Sequence, residues 1–385
     1  MRKPREGEET YDTILGVAKQ LSLNEQWGVV GHTWAVEALE HAIRHERNAH
    51  AFLITGPHGI GKTTLARALA RRLLCLANEA SASQSSLFGD APSPLEPPCG
   101  ECRSCVKSSK GVQPDMLMIE GLPPHWDYER KGAAPPRTND REKRTLVVEQ
   151  IRDAEKWLSV APFESRYKVA IFRHFEEANE SAQNAFLKTL EEPPKYAVLI
   201  LTAQDAGMLL PTIVSRCQPL ALRPLSVETV ERALIEKWDA PRGEAELLAR
   251  ISGGRIGWAV RALNAPQVLE ARREALDALN ALVREGRAER LMRAEGLAKD
   301  SSELPQVFET WMTWWRDVML LWNNTGARIT NVDYASLLEQ QASQFSLEDI
   351  EGALNATRTA SRQLGHNANA RLVTEVLALK LPRAA

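Results

Sequence analysis

Gly56-Pro57-His58-Gly59-Ile60-Gly61-Lys62-Thr63 fits the spacing GxxxxGK[ST], and residues of these types so spaced hold phosphates. The glycines let backbone N–H groups close around phosphate oxygens at the positive end of a following helix. The lysine adds charge near the β and γ phosphates, and the threonine hydroxyl ligates magnesium. The apolar run Ala51-Phe52-Leu53-Ile54 precedes the loop, and the helix-compatible Thr64-Leu65-Ala66-Arg67-Ala68-Leu69-Ala70 follows it. That strand, loop and helix context predicts that the chain binds ATP with Mg2+.

Hydrolysis asks for more. A P-loop enzyme needs a carboxylate at the end of a neighbouring strand, to hold magnesium through water and help polarise the attacking water. Here the strand-like Tyr167-Lys168-Val169-Ala170-Ile171-Phe172 is followed by Arg173 and His174, and the acids Glu176 and Glu177 come later. A shift of three residues spans about 10 Å of extended chain, so the spacing predicts weak or no hydrolysis. The plain alternative for Arg173 and His174 is an ordinary solvated strand end, and for Glu176 and Glu177 the first turn of a helix, where acids suit the dipole.

Cys99, Cys102 and Cys105 follow the pattern C-x2-C-x2-C, and Cys75 stands at the end of the P-loop helix. Four thiolates complete a tetrahedral site with no open position, which predicts structural rather than catalytic Zn2+. Iron–sulfur runs that begin this way continue to a fourth Cys followed by Pro, whereas Val106-Lys107-Ser108-Ser109 follows here. Cys217 reads as a free thiol.

The elements that must position these groups follow from pattern. Phe52–Thr55, Asp115–Ile119, Lys168–Phe172 and Val198–Thr202 are short apolar runs bounded by turns or charge, and they alternate with helical stretches. This predicts a parallel α/β sheet. Residues 1–25 form a polar extension and residues 26–223 the P-loop core, with a zinc module at 75–120. Two segments rich in Pro, Gly, Ser or charge, 76–98 and 121–144, read as surface insertions. A small helical domain spans 224–265, with a break at Gly253-Gly254, and an all-α domain spans 266–385, including the tryptophan-rich Phe308–Trp322.

With 385 residues and 44% hydrophobic content, the chain is long enough for two or three domains. A net charge of −2 argues against a globally basic surface that wraps nucleic acid. No apolar stretch approaches the roughly 18 residues of a membrane helix, and Met1-Arg2-Lys3-Pro4-Arg5 leads into no signal-peptide core, so a cytoplasmic location is expected. Five cysteines, three of them in one cluster, do not read as a disulfide framework.

Several strings together resemble the bacterial clamp-loader subunits of DNA polymerase III, within the AAA+ family, and among them the delta-prime type most closely. They are Val30-Gly31-His32, His50-Ala51-Phe52-Leu53, the cysteine cluster, Asn184-Ala185-Phe186-Leu187-Lys188-Thr189-Leu190-Glu191-Glu192-Pro193-Pro194, Ser215-Arg216-Cys217 and Asn367-Ala368-Asn369. The resemblance implies an AAA+ core with an inserted zinc module, a helical lid and a helical collar that assembles a hetero-pentamer with gamma/tau and delta subunits. It also implies work on a sliding clamp and primer-template DNA, away from membranes. The nucleotide-contacting set it implies is Gly56 to Thr63, named above, with Thr64, Val30 and Thr202, and Arg216 becomes the arginine offered in trans to a neighbour's ATP. Two departures separate the chain from the gamma/tau motor. Arg173 and His174 align with the motor's acidic pair, and the lid arginine that senses the γ-phosphate falls at or near Ile256, next to Arg255. Both point to a stator; the alternative is a motor with a relocated carboxylate such as Glu176. An unrelated nucleic-acid-dependent NTPase would instead need a basic stripe with interleaved aromatics.

Overall fold

The structure, a computed structural model, describes residues 22–45, 49–77, 98–123, 144–325, 329–365 and 368–384. Most of the predicted extension, the greater part of both insertions and Asn367 lie outside the described residues.

Five parallel strands form one sheet in the order β2-β3-β4-β1-β5. These are β1 (Ala51–Thr55), β2 (Met116–Ile119), β3 (Lys168–Phe172), β4 (Ala197–Ala203) and β5 (Gln218–Ala221). β1, β3 and β4 are buried along their whole length, as expected of parallel strands covered on both faces, and this is why they stand out as unbroken apolar runs. Side chains alternate between the faces. Phe52, Ile54, Val169 and Ile171 pack under α1 (Leu23–Trp27), α2 (Thr33–Arg44) and α3 (Lys62–Leu74). Leu53, Ala170, Phe172 and Leu201 pack on the other side. The helix that carries Cys105 is α4 (Arg103–Ser109), and the second face is covered by α5 (Val148–Ser159), α6 (Glu180–Glu191) and the short α7 (Pro211–Val214).

β5 was not expected. It is a four-residue edge strand that carries Pro219, and of its side chains only Leu220 is buried. Proline is tolerated at a sheet edge, where its missing N–H costs no ladder bond, but it erases the sequence signal of a strand.

A compact trio, α8 (Val227–Trp238), α9 (Arg242–Ile251) and α10 (Ile256–Asn264), shares its own apolar cluster. The turn between the last two uses Gly253 (φ 58°) and Gly254 (φ 80°). A Cβ on Gly254 would lie 2.3 Å from the Leu225 carbonyl oxygen, so only glycine fits.

The remaining helices are α11 (Gln267–Arg284), α12 (Arg287–Leu297), α13 (Leu304–Trp322), α14 (Ala335–Gln344), α15 (Leu347–Gly365) and α16 (Ala370–Lys380). They close around Trp311, Trp314 and Trp315, which are fully buried, whereas Trp322 is exposed. Trp314 Nε1 donates to Gln341 Oε1 at 2.8 Å and Gln341 Nε2 donates to Asn280 Oδ1 at 2.7 Å, so a buried polar chain links three helices. No helix among the described residues is long and apolar enough to cross a membrane.

Candidate nucleotide site and candidate metal centre

The chain leaves β1 through Gly56 (φ 144°), Gly59 (φ 78°) and Gly61 (φ 110°), angles that favour glycine, and Lys62 then opens α3. The Lys62 ammonium donates to Gly56 O at 2.5 Å and Pro57 O at 3.1 Å, so in this conformation its charge rests on carbonyls of its own loop. Burial lowers Lys62 to about 8, with the charges of Glu176 and Glu309 opposing the shift. Phosphate oxygens are stronger acceptors than these carbonyls and would restore the full charge. His32 Nε2 lies 3.0 Å from Ile60 O and braces the loop from α2.

Helix α10 touches the phosphate loop directly. Gly257 N donates to Gly59 O at 2.7 Å. A Cβ on Gly59 would meet Trp258 N at 2.9 Å, and one on Gly257 would meet Gly59 O at 2.9 Å, so each glycine permits the approach of the other. Four residues on, along the same helix face, Arg261 Nη2 lies 3.1 Å from His58 Nδ1. The His58 ring stacks on His174, with centroids 5.8 Å apart. Val30 packs against the apolar cluster of α8–α10. Arg255 points elsewhere: Nε donates to Ser252 O at 2.8 Å, and the guanidinium pairs with Glu309 of α13 at 2.5 Å. Ile256 is buried in the helical cluster.

At the end of β3 the structure adds partners to the strand end. Arg173 is not a bare solvated end, because its Nη1 donates to Glu120 Oε2 at 2.6 Å while Arg144 holds the other oxygen at 3.0 Å. Glu176 and Glu177 do lie in the first turn of a helix, but it is a three-residue 3-10 helix rather than the start of a longer α-helix. His174 adopts a left-handed conformation (φ 52°), Phe175–Glu177 form a tight 3-10 turn, and α6 begins at Glu180 behind its N-cap Asn179. The turn folds the chain back, so the extended-chain distance does not apply. Glu176 Oε1 accepts from Gln204 N at 3.3 Å, and Gln204 O in turn accepts from Gly56 N at 3.2 Å. Thr202 is wholly buried, and its hydroxyl oxygen accepts from His174 N at 3.1 Å.

Glu177 is raised to about 7, chiefly by burial, against 4.5 for an ordinary glutamate. The folded value exceeds the unfolded one, so the native state binds the proton more tightly and stability falls as pH rises through that window. Glu177→Gln is expected to stabilise the chain at pH 8 by up to about 3 kcal/mol and to leave it unchanged at pH 4. Equal differences at both pH values in urea unfolding would refute this.

Arg216 stands apart from the loop. Its Nη2 donates to Glu191 Oε1 at 2.6 Å and its Nη1 to Thr212 O at 2.9 Å, and its side chain is 34% exposed. Thr63 and Thr64 lie in the first turn of α3, Thr64 exposed and Thr63 partly so. Two other arginines of α3 are structural: buried Arg72 makes two 2.8 Å bonds to Glu40, and Arg71 Nη2 donates to Trp27 O at 2.7 Å.

The four predicted cysteines converge. The sulfur atoms of Cys75, Cys99, Cys102 and Cys105 all lie within 4.8 Å of one another, with Cys75 3.6 Å from Cys99 and 4.0 Å from Cys102. A tetrahedron with Zn–S bonds of about 2.3 Å has edges of about 3.8 Å, so the set fits the ion. Cys102 N donates to Cys99 Sγ and Cys105 N to Cys102 Sγ, both at 3.4 Å, aiming backbone dipoles at the sulfurs. The hydrogen bond with Cys105 lowers Cys75 to about 5, and Cys105 is correspondingly raised.

Two features escaped sequence reasoning. Arg261 was signalled only by Gly257 four residues earlier, and the inward turn of Glu176 had no signal, since a left-handed histidine leaves no mark in residue spacing.

Comparison with known proteins agrees with these features. A family model described as DNA polymerase III, delta subunit, matches residues 31–226, and another, DNA polymerase III, delta subunit, C terminal, matches residues 266–382. DNA polymerase III subunit delta' of Bacillus subtilis (strain 168) is 25% identical over 351 residues, covering 90% of this chain and 94% of that protein. The subunit delta' of Pseudomonas aeruginosa is 31% identical over 274 residues, 70% of this chain and 71% of that protein. DNA polymerase III subunit tau of Escherichia coli (strain K12) is 31% identical over 233 residues, 59% of this chain and 31% of that protein.

Proposed function

Because the chain belongs to the delta-prime clamp-loader subunits of DNA polymerase III, related to gamma and tau, we propose that it is the ATP-binding stator of its loader. On this reading it completes a ring with gamma/tau and delta subunits in the bacterial cytoplasm. It supplies Arg216 to a neighbouring motor's ATP and helps hold the sliding clamp open over primed DNA. Residues 26–223 are the nucleotide core, 224–265 the lid and 266–385 the collar, and the cysteine cluster holds Zn2+ as a structural ion.

The observation that carries the reading is the end of β3. Where a motor needs an acid, Arg173 is tied to Glu120, while the phosphate loop keeps Lys62 and Thr63. Arg216 supports it from the other side, since a partly exposed guanidinium held by a surface glutamate is available to exchange that partner for a phosphate.

An arginine acting in trans is worth about 10³-fold or more in turnover at the single site it serves. In a loader reconstituted with gamma/tau and delta subunits, Arg216→Ala is therefore expected to assemble normally, to silence that one neighbouring site and to depress clamp loading on primed DNA. Arg216→Lys should not rescue it, because lysine lacks the planar fork. Unchanged turnover and loading in Arg216→Ala would overturn the trans role. ATP turnover by the isolated chain, abolished by Lys62→Ala, would replace the stator by a motor.

A further inference from the structure

We propose that Glu176 is the carboxylate through which this chain holds the divalent cation of its bound nucleotide, a duty that Arg173 and His174 cannot perform from the strand end. The inference rests on the nucleotide-binding reading above and names the residue that makes binding cation-dependent.

Three observations carry it. The Glu176 side chain is only 8% exposed, and its Oε2 is buried without a hydrogen-bond partner. Leaving such an oxygen unpaired costs on the order of 1–3 kcal/mol or more for a charged group, which a cation would recover. The carboxylate is also fixed in place: Oε1 takes the Gln204 N–H, and Gln204 takes the N–H of Gly56, the first glycine of the phosphate loop. Finally, His174, whose Nδ1 is 3.7 Å from Glu176 Oε1, stacks on His58 within the loop itself. The left-handed turn at His174 therefore returns a carboxylate to the phosphate loop from three residues beyond the usual place. The charge of Glu176 is felt at Lys62, which places it within electrostatic reach of the phosphate-binding ammonium.

The chemistry suits magnesium, which takes oxygen ligands and is held in nucleotide sites by one or two carboxylates together with phosphates and water. The Thr63 hydroxyl is the second oxygen this chain offers. Glu177 is the natural control, since it is the neighbouring buried carboxylate in the same turn and its Oε2 lies only 2.5 Å from where a Cβ on Gly121 would stand.

The sign of the effect is diagnostic. A carboxylate beside a triphosphate repels it when no cation lies between them and binds it through the cation when one does. The full-length chain is titrated with a fluorescent ATP analogue in Mg2+ and in EDTA, and Mn2+ uptake in the presence of ATP is followed by electron paramagnetic resonance. The native chain is expected to bind the analogue about tenfold or more tightly with Mg2+. Glu176→Gln should lose that gain and the Mn2+ uptake, while binding in EDTA as well as the native chain or better, which also shows that it is folded. Glu177→Gln should keep the gain. A Glu176→Gln chain that retains the Mg2+ gain, or a native chain that shows none, would overturn the proposal. If the native chain binds no more analogue than Lys62→Ala in either buffer, the nucleotide-binding reading itself is wrong and this proposal falls with it.

Discussion

Replacing Cys105 by serine is expected to produce a chain that carries almost no zinc and whose residues 98–115 are cut rapidly by protease. Three thiolates leave the tetrahedron open, and the part of the segment before Gln113 then depends on the short α4 and its bonds to Gln113 and Glu164. Its helix α4 has seven residues, too short to persist alone, and of these only Ser104 and Cys105 are buried. Structural zinc in small modules is worth on the order of 10 kcal/mol at neutral pH, so the loss of one ligand should unmake the module rather than loosen it. Cys102→Ser should behave in the same way. Cys217→Ser should keep its zinc, because that thiol is buried in the sheet core and pushed up to about 12, away from the cluster. The check is zinc per chain by colorimetric chelation, set beside limited proteolysis. A zinc-free native protein, or full zinc in Cys105→Ser, would end the structural-zinc reading.

Trp311→Ala should be the most damaging single change in the C-terminal helices. The indole is wholly buried, packs against Phe308 with ring centroids 5.6 Å apart, and donates from Nε1 to Ala275 O at 2.7 Å. Truncating a buried tryptophan costs about 3–5 kcal/mol through lost burial and a residual cavity. Trp322→Ala removes a ring that is 42% exposed and should shift stability by about 0.5 kcal/mol or less. Urea unfolding followed by far-ultraviolet circular dichroism separates the two. The chain has several apolar cores, so the earliest transition is the one to compare. Equal midpoints for the two variants would show that the Trp311 pocket is not a stability centre.

Much of the chemistry was legible as strings. The glycine-rich loop and the four cysteines announce themselves because their residues are close in the chain or flank one insertion, so their types and spacing can be read without the fold. β1, β3 and β4 were legible because burial on both faces demands unbroken apolar runs. β5 was not, because an exposed edge strand with a proline satisfies none of those demands.

The sequence alone was enough for the family, through the strings that resemble it, and for four of the five strands, the glycine-rich loop and the four-cysteine set, through local pattern. Folding settled what spacing leaves open: the meeting of Gly257 with Gly59, the reach of Arg261 to His58, the pairing of Arg173 with Glu120 and the inward turn of Glu176. These contacts join segments as much as about 200 residues apart, or hang on the hand of one backbone turn at His174. Their geometry follows from how helices and sheet pack, and residue order does not encode it locally.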